Sequence, residues 1–273
     1  MKKITLTSLL AVLAVSGAHA ANVIDGNPLY MPKKGHFYSE TTLASHSETT
    51  KNWELTEEFG YGVTDKLAVN IKTSLNEKDS FDMYSWKDLA LKATFRAIDK
   101  GAWKMDVYGA YGAGDAILSN VGQVGALMYH IGDDTEWFDK DSTFYTWTAG
   151  VRGGYTMGAL TLAGHVAYEY IGAESFNWDE EGYHKWVAGL DAQYLLCDKL
   201  NLVAGAEYAG ITNDGAKNVG VWNGYFGVNY NIDATKYVGA YISGDMNHKG
   251  GDANDEWDIE KGFGFGVKFG IDF

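Results

Sequence analysis

The chain between positions 67 and 75 reads Leu67-Ala68-Val69-Asn70-Ile71-Lys72-Thr73-Ser74-Leu75. Its larger apolar residues and its polar residues fall at alternating positions. One set is Leu67, Val69, Ile71 and Leu75, and the other is Asn70, Lys72 and Ser74. Since successive side chains of a β-strand point to opposite faces, this period of two predicts a strand with one apolar and one polar face. Residues 88–97 repeat the pattern.

Twelve segments along the chain show this period, and each is predicted to be a strand. They are residues 36–46, 51–63, 67–75, 86–98, 103–112, 143–156, 160–170, 184–196, 200–210, 219–232, 236–244 and 259–273. Their connections alternate between short turns, such as Thr64-Asp65-Lys66, and longer loops, the longest running from Ala113 to Ser142. Short turns at one end and long loops at the other predict an all-β fold, a transmembrane antiparallel up-and-down β-barrel. The apolar piece Ala116–Ile131 could add a hairpin, which leaves fourteen strands as an alternative.

Five of these strands carry a tryptophan and a tyrosine eight positions apart, and therefore on the same face. The pairs are Trp53/Tyr61, Trp103/Tyr111, Trp147/Tyr155, Trp186/Tyr194 and Trp222/Tyr230. Eight residues span about 26 Å along a strand, or about 20 Å along the membrane normal at a tilt of about 40°. That is close to the apolar band of about 25 Å between aromatic girdles. A soluble β-sandwich also alternates, but it has no reason to repeat this spacing five times.

One residue conflicts with the predicted lipid-facing side. Glu57 falls midway between Trp53 and Tyr61, on the face that these two residues assign to lipid. A buried carboxylate is costly there, so we expect a β-bulge or a local change of register.

The first twenty residues have the features of a secretory signal peptide. Lys2 and Lys3 precede a mainly apolar run, Ile4–Val15, and Ala18-His19-Ala20 matches an A-x-A cleavage site. The run is too short to span a membrane as a helix. We therefore expect residues 1–20 to be removed and residues 21–273 to form a single barrel domain in a bacterial outer membrane.

Composition excludes several classes of function. A formal net charge of −14 makes nucleic acid an unfavourable partner, because the phosphate backbone would be repelled. The single cysteine, Cys197, excludes an internal disulfide framework. The chain has no Walker, zinc-spacing or haem-attachment motif, so we expect no cofactor and no metal.

The predicted inner face carries charged residues that separate into two groups along the chain. We predict nine pore-lining residues: Lys72, Lys92, Arg96, Lys104, Arg152, His165, Glu169, Asp191 and Glu207. The basic ones come from the third to the sixth strand, and the acidic ones from the seventh to the ninth. Asp88, Asp106 and Lys185 on the same face interrupt this separation. Opposed walls of this kind would order polar solutes as they pass. The alternative is a plugged lumen in which the charges neutralise one another.

The loops and the histidines raise two further hypotheses. The long loop is acidic, with Asp133, Asp134, Glu136, Asp139 and Asp141, but no run has EF-hand spacing, which favours ordinary solvated acid over a cation site. A hydrolase would need histidine assembled with serine or aspartate. Neither His46-Ser47, nor His165, nor His130 beside Asp133 supplies that arrangement, so we expect no catalytic residue and no enzyme.

The last strand alternates to its end, and the chain stops on an aromatic residue. This resembles the assembly signal of bacterial outer-membrane barrels, which implies that the barrel-assembly machinery reads Val267, Phe269, Ile271 and Phe273. Outer-membrane lipid and lipopolysaccharide are the other expected partners.

More broadly, the chain resembles small Gram-negative outer-membrane channels. Phe59–Leu67 is similar to the Y-G-(apolar)-T-D turn of the outer-membrane family named for the meta-pathway of phenol degradation, and Asp88–Lys92 is similar to that family's next strand. The resemblance implies passive passage of small solutes, including hydrophobic or aromatic ones, and transfers no binding residue. Twelve strands suit a narrow pore. A non-conducting barrel whose acidic loops serve adhesion or surface organisation is the alternative, and a hydrolase is a third interpretation.

Overall fold

Thirteen β-strands make up the described part of the chain. The computed structural model describes residues 27–46, 53–78, 83–114, 143–174, 183–213, 216–252, 255–257 and 263–273, and the predicted signal peptide and most of the loop 113–142 lie outside them. The strands are β1 (Phe37–His46), β2 (Trp53–Thr64), β3 (Leu67–Lys78), β4 (Met83–Lys100), β5 (Trp103–Gly114), β6 (Thr143–Met157), β7 (Leu160–Glu174), β8 (Tyr183–Cys197), β9 (Leu200–Asn213), β10 (Ala216–Asn231), β11 (Lys236–Asp252), β12 (Asp255–Trp257) and β13 (Phe263–Asp272). Within these ranges no helix could cross a membrane.

Twelve of the strands close into one antiparallel ring. Each strand from β1 to β10 pairs with the next one along the chain. β11 then pairs with β13, and β13 pairs with β1 from Tyr38↔Asp272 to His46↔Gly264. The short β12 pairs with the far end of β11 and is not part of the ring. Closure removes the edges that an open sheet would expose, as a β-structure in a bilayer requires. The prediction of a twelve-stranded barrel is therefore confirmed.

The fourteen-strand alternative is wrong. β5 pairs directly with β6, from Trp103↔Tyr155 to Gly114↔Phe144, so the wall contains no extra hairpin between them. The piece Ala116–Ile131 itself lies outside the described residues. An apolar run in a loop satisfies the strand pattern locally, but the ring is complete without it.

The ring is apolar outside and polar inside, the reverse of a soluble protein. On the outer surface Leu190 is 71% exposed and Leu91 is 50% exposed, whereas Asp106 is 0% and Arg152 5% exposed on the inner face. Aromatic rings of neighbouring strands meet on the outside, with centroids 4.7 Å apart for both Trp103–Tyr155 and Tyr111–Trp147. These contacts build the two girdles that the eight-residue spacing predicts.

The five short turns and the C-terminus lie at one end of the ring, which we call the turn end. Gly101 and Gly158 occupy two of these turns with φ of 62° and 60°, a left-handed conformation that favours glycine. At the same end Phe37 and Phe273 exchange backbone hydrogen bonds of 2.7 and 2.8 Å, which fasten the first strand to the last residue.

The bulge predicted at Glu57 is wrong. The β1–β2 register runs without a shift from Phe37↔Tyr61 to Ser45↔Trp53, so Glu57 keeps its outward phase. Ser39 Oγ and Thr41 Oγ1 on β1 donate hydrogen bonds of 2.6 and 2.5 Å to its two carboxylate oxygens. Donors from the neighbouring strand, rather than a change of register, accommodate the charge.

Candidate functional site in the barrel lumen

A segment that precedes β1 lies against the inner wall at the turn end. This N-terminal segment, Asn27–His36, places Leu29 at 0% exposure. Inward-facing arginines hold its main chain: Arg96 Nη2 donates to the Leu29 carbonyl at 2.7 Å, and Arg152 Nη2 donates to the Tyr30 carbonyl at 3.2 Å. The lumen is thus occupied at the turn end by a piece of chain as well as by side chains of the wall.

The end of the N-terminal segment is tied to β2 before β1 begins. Gly35 N–H donates to the Gly62 carbonyl at 2.8 Å, and Gly62 N–H donates to the His36 carbonyl at 3.0 Å. The phenol group of Tyr30 donates to Asp272 at 3.1 Å, which links the segment to the last strand. These contacts hold the segment at both of its ends.

One carboxylate organises the arginines that hold this segment. Asp106 lies between Arg96 and Arg152, with Arg96 Nε 2.5 Å from Oδ1 and Arg152 Nη2 2.5 Å from Oδ2. Adjacent strands supply the three residues, since Asp106 on β5 is cross-strand to Arg96 on β4 and to Arg152 on β6. Two cations share one anion, and Nη2 of each arginine also donates to a carbonyl of the segment.

A second cluster follows on the next strands. His165 lies between two carboxylates, with Nδ1 3.1 Å from Asp191 Oδ2 and Nε2 2.8 Å from Glu207 Oε2. The Tyr225 hydroxyl donates to Asp191 at 2.7 Å. Because both ring nitrogens are engaged, this histidine is not placed to act as a general base on a serine.

A third cluster joins the first and last strands inside the ring. The Tyr38 hydroxyl and Asn70 Nδ2 donate to Glu58 Oε1 at 2.5 and 2.8 Å. Glu40 accepts from the Tyr237 hydroxyl and lies 3.4 Å from Lys268 Nζ. Buried inward-facing carboxylates therefore also occur on β1 and β2.

Large inner-face rings lie flat against glycines of the neighbouring strand. A Cβ on Gly150 would overlap the Tyr108 ring, one on Gly189 the His165 ring, and one on Gly205 the Tyr225 ring. The absence of a side chain lets each ring follow the wall instead of projecting across the lumen.

The structure places all nine predicted pore-lining side chains on the inner face, and their part in conduction stays a prediction. It does not keep the basic and acidic walls apart: Asp106 pairs with both Arg96 and Arg152, and Lys185 pairs with Glu169. Lys92 Nζ instead lies 4.6 Å from the centroid of the Tyr108 ring. The ion pairs agree with the alternative in which the lumen charges neutralise one another.

Among the described residues no group of three or more His, Cys, Asp or Glu is arranged to hold a metal.

Sequence reasoning missed the N-terminal segment, although the chain contains a signal for it. Both prolines of the protein, Pro28 and Pro32, lie in this segment around Leu29-Tyr30-Met31. Proline cannot donate to a strand ladder, so an apolar run between two prolines just before the first strand indicates a packed irregular segment.

Comparison with known proteins supports the fold. No protein-family model matches the chain, and no curated protein sequence matches it. Similar solved structures include the NanC porin (TM-score 0.56, 8% identity, 85% of this chain and 98% of that one). An outer-membrane channel of Pseudomonas putida F1 has a TM-score of 0.54 at 11% identity, covering 89% and 97% of the two chains. The translocator domain of the autotransporter NalP of Neisseria meningitidis has a TM-score of 0.54 at 12% identity, covering 98% of each.

At these identities the similarity concerns the fold alone. The family named for phenol degradation is not shown by any of these comparisons and stays a prediction. The chain has the closed antiparallel architecture of outer-membrane β-barrels.

Proposed function

We propose that the protein is an outer-membrane channel for small polar solutes, and that the N-terminal segment closes its turn end. Eight strands leave an interior that side chains fill, and sixteen to eighteen leave an open channel, so twelve enclose a lumen of intermediate width. The inner face of this lumen is polar and the outer surface is apolar. Two of the similar structures are named as a porin and an outer-membrane channel, which supports a transport role.

The proposal depends on the observation that the N-terminal segment is not part of the barrel wall. β1 pairs with β2 and with β13 along its whole length, so the ring is complete without residues 27–36. The arginines hold the segment mainly through main-chain carbonyls, at Leu29 and Tyr30. Displacing the segment therefore opens the lumen and leaves the barrel intact.

A single added methyl group tests this idea. A Cβ on Gly62 would overlap the Lys33 carbonyl, and the three nearest atoms all belong to Pro32 and Lys33 of the N-terminal segment. We expect Gly62→Ala to displace the segment and to raise single-channel conductance or open probability in a planar bilayer. Gly109→Ala is the matched control, because its Cβ would meet only the Thr148 carbonyl at 3.7 Å.

Deletion of residues 27–36 should reproduce the effect of Gly62→Ala. Equal conductance in the wild type, in Gly62→Ala and in the deletion would show that the segment closes no path. Folded barrels without current steps in all three would favour the non-conducting structural role, which the paired lumen charges also suit.

We propose no catalytic step. We also propose that the chain is exported through a cleaved signal peptide, assembled by the barrel-assembly machinery and in contact with lipopolysaccharide.

A further inference from the structure

Two arginines of the inner wall donate to consecutive carbonyl groups of the N-terminal segment. Arg96 Nη2 lies 2.7 Å from the Leu29 carbonyl oxygen, and Arg152 Nη2 lies 3.2 Å from that of Tyr30. Both acceptors are uncharged main-chain oxygens. A guanidinium forms stronger hydrogen bonds with a carboxylate or a phosphate than with a neutral carbonyl, and its fork of N–H groups matches the paired oxygens of an oxyanion. The two carbonyl groups therefore occupy positions that suit the oxygens of an oxyanion.

The wall around these arginines has more positive than negative charge. Among the side chains that the structure describes on the inner face of β4–β6, four are basic: Lys92, Arg96, Lys104 and Arg152. One is acidic, Asp106, and the half-exposed Asp99 at the turn end adds a second negative charge. Four positive charges against two negative charges leave an excess of two. The carbonyl groups of the N-terminal segment carry no net charge, so they do not offset this excess.

Lysines extend the positive charge to both sides of the arginines. Neither Lys92 nor Lys104 forms an ion pair with a carboxylate in the described part of the lumen. Lys92 precedes Arg96 by four residues on β4, about 13 Å toward the end of the barrel opposite the turn end. Lys104 precedes Asp106 by two residues on β5, toward the turn end. A solute that follows β4–β6 through the lumen meets one lysine before the arginines and one after them.

The carboxylates of the strands that follow β6 already have basic partners. Glu169 pairs with Lys185. Asp191 and Glu207 lie 3.1 and 2.8 Å from the two ring nitrogens of His165. A mobile cation therefore meets carboxylates that are engaged, whereas a mobile anion meets lysines that have no carboxylate partner. The lumen favours the anion.

We infer that Arg96 and Arg152 form an oxyanion-binding site, and that a small solute with a carboxylate or phosphate group displaces the N-terminal segment from it. This inference rests on the proposed channel function and names its solutes as small anions. A ligand shifts an equilibrium by its differential affinity for the two states. The anion reaches both arginines only when the carbonyl groups of Leu29 and Tyr30 have left, so its binding favours the open turn end.

Thiol labelling tests the displacement without relying on current. Leu29→Cys in a Cys197→Ser background places the single cysteine at a site that is 0% exposed while the segment is seated. In folded barrels in detergent micelles, we expect inorganic phosphate or succinate to raise the rate of maleimide labelling several-fold over chloride at the same ionic strength and pH. Glucose is the neutral control and should leave the rate unchanged.

The outcomes of the labelling experiment are distinct. An increase with either anion supports the site, and an increase with only one of them identifies a phosphate or a carboxylate as the group that it binds. The same rate in phosphate, succinate, glucose and chloride would overturn the inference. If Leu29→Cys alone already labels as fast as its combination with Gly62→Ala, the cysteine itself has displaced the segment, and ion selectivity decides.

Ion selectivity tests the charge argument in Gly62→Ala, where the segment is displaced. Under a potassium chloride gradient in a planar bilayer, the reversal potential should show a preference for chloride. Lys92→Gln and Lys104→Gln should each lower the chloride-to-potassium permeability ratio several-fold, and both should fold because neither lysine forms an ion pair. Lys199→Gln is the matched control, since it removes a lysine that lies over the outward-facing Tyr230 ring at the turn end.

Failure of this inference and failure of the channel give different results. A potassium preference in Gly62→Ala, or an equal effect of Lys199→Gln, would overturn the anion site and leave the channel in place. Absence of current from folded Gly62→Ala protein would refute the channel. Labelling of Leu29→Cys that phosphate and succinate do not accelerate would then overturn the oxyanion site as well, whereas accelerated labelling would support the site in a barrel that binds anions without conducting them.

Discussion

Replacement of Asp106 by asparagine should destabilise the barrel strongly, because it removes one charge shared by two buried cations. The side chain of Asp106 is 0% exposed, and those of Arg96 and Arg152 are 4% and 6% exposed. Asparagine keeps the volume and leaves no cavity. The effect therefore reports the electrostatic and hydrogen-bonding contribution of the carboxylate.

The size of the effect follows from the contacts that are lost. Breaking a buried ion pair by removing one partner costs about 3–5 kcal/mol, because the remaining charge is left buried. Here both arginines keep carbonyl acceptors at Leu29 and Tyr30, and Arg96 Nη1 lies 3.8 Å from the half-exposed Asp99. We therefore expect a loss near the lower limit, about 3 kcal/mol in free energy of unfolding.

Equilibrium urea unfolding in lipid vesicles, followed by tryptophan fluorescence, measures this loss. Asp99→Asn is the matched control, since it removes a carboxylate near the same Arg96 from an exposed position, where an ion pair contributes about 0–1 kcal/mol. If Asp106→Asn costs no more than Asp99→Asn, water screens the cluster and the reasoning from burial is refuted.

Three other changes have defined outcomes. Joint replacement of Arg96 and Arg152 by alanine should alter conductance or ion selectivity in a planar bilayer, and unchanged values would remove both from the solute path. In the turn before β11, the backbone N–H and hydroxyl of Thr235 donate to Asp233 and hold the pKa of that carboxyl below its ordinary value of 3.8. This stabilisation is present above pH 3.8 and is lost as the pH falls through the lower folded pKa, so urea midpoints of wild type and Asp233→Asn should converge below pH 3.8. Deletion of Phe273 should lower the yield of assembled barrel in cells, measured as heat-modifiable protein, and an unchanged yield would contradict its role as an assembly signal.

One part of the predicted site follows from the sequence, and another part depends on the tertiary structure. The inward phase of the nine candidate residues follows from alternation on each strand, but their pairing does not. Sequence reasoning placed Arg96 and Arg152 on one basic wall and Asp106 on the same face as an exception, and only the structure shows that Asp106 contacts both arginines. At Glu57 the prediction failed because it considered the strand alone, whereas the donors Ser39 and Thr41 come from the neighbouring strand.

The sequence by itself determined the strands, their two faces and the height of the aromatic girdles, because each depends on a period of two residues within one segment. Only the tertiary structure decided what meets inside the ring. Closure pairs Tyr38 with Asp272, and the arginine on β4 reaches the carbonyl of Leu29, 67 positions earlier in the chain. Such contacts depend on the number, tilt and register of all twelve strands together, which set the width of the lumen and the side chains that share one level of it.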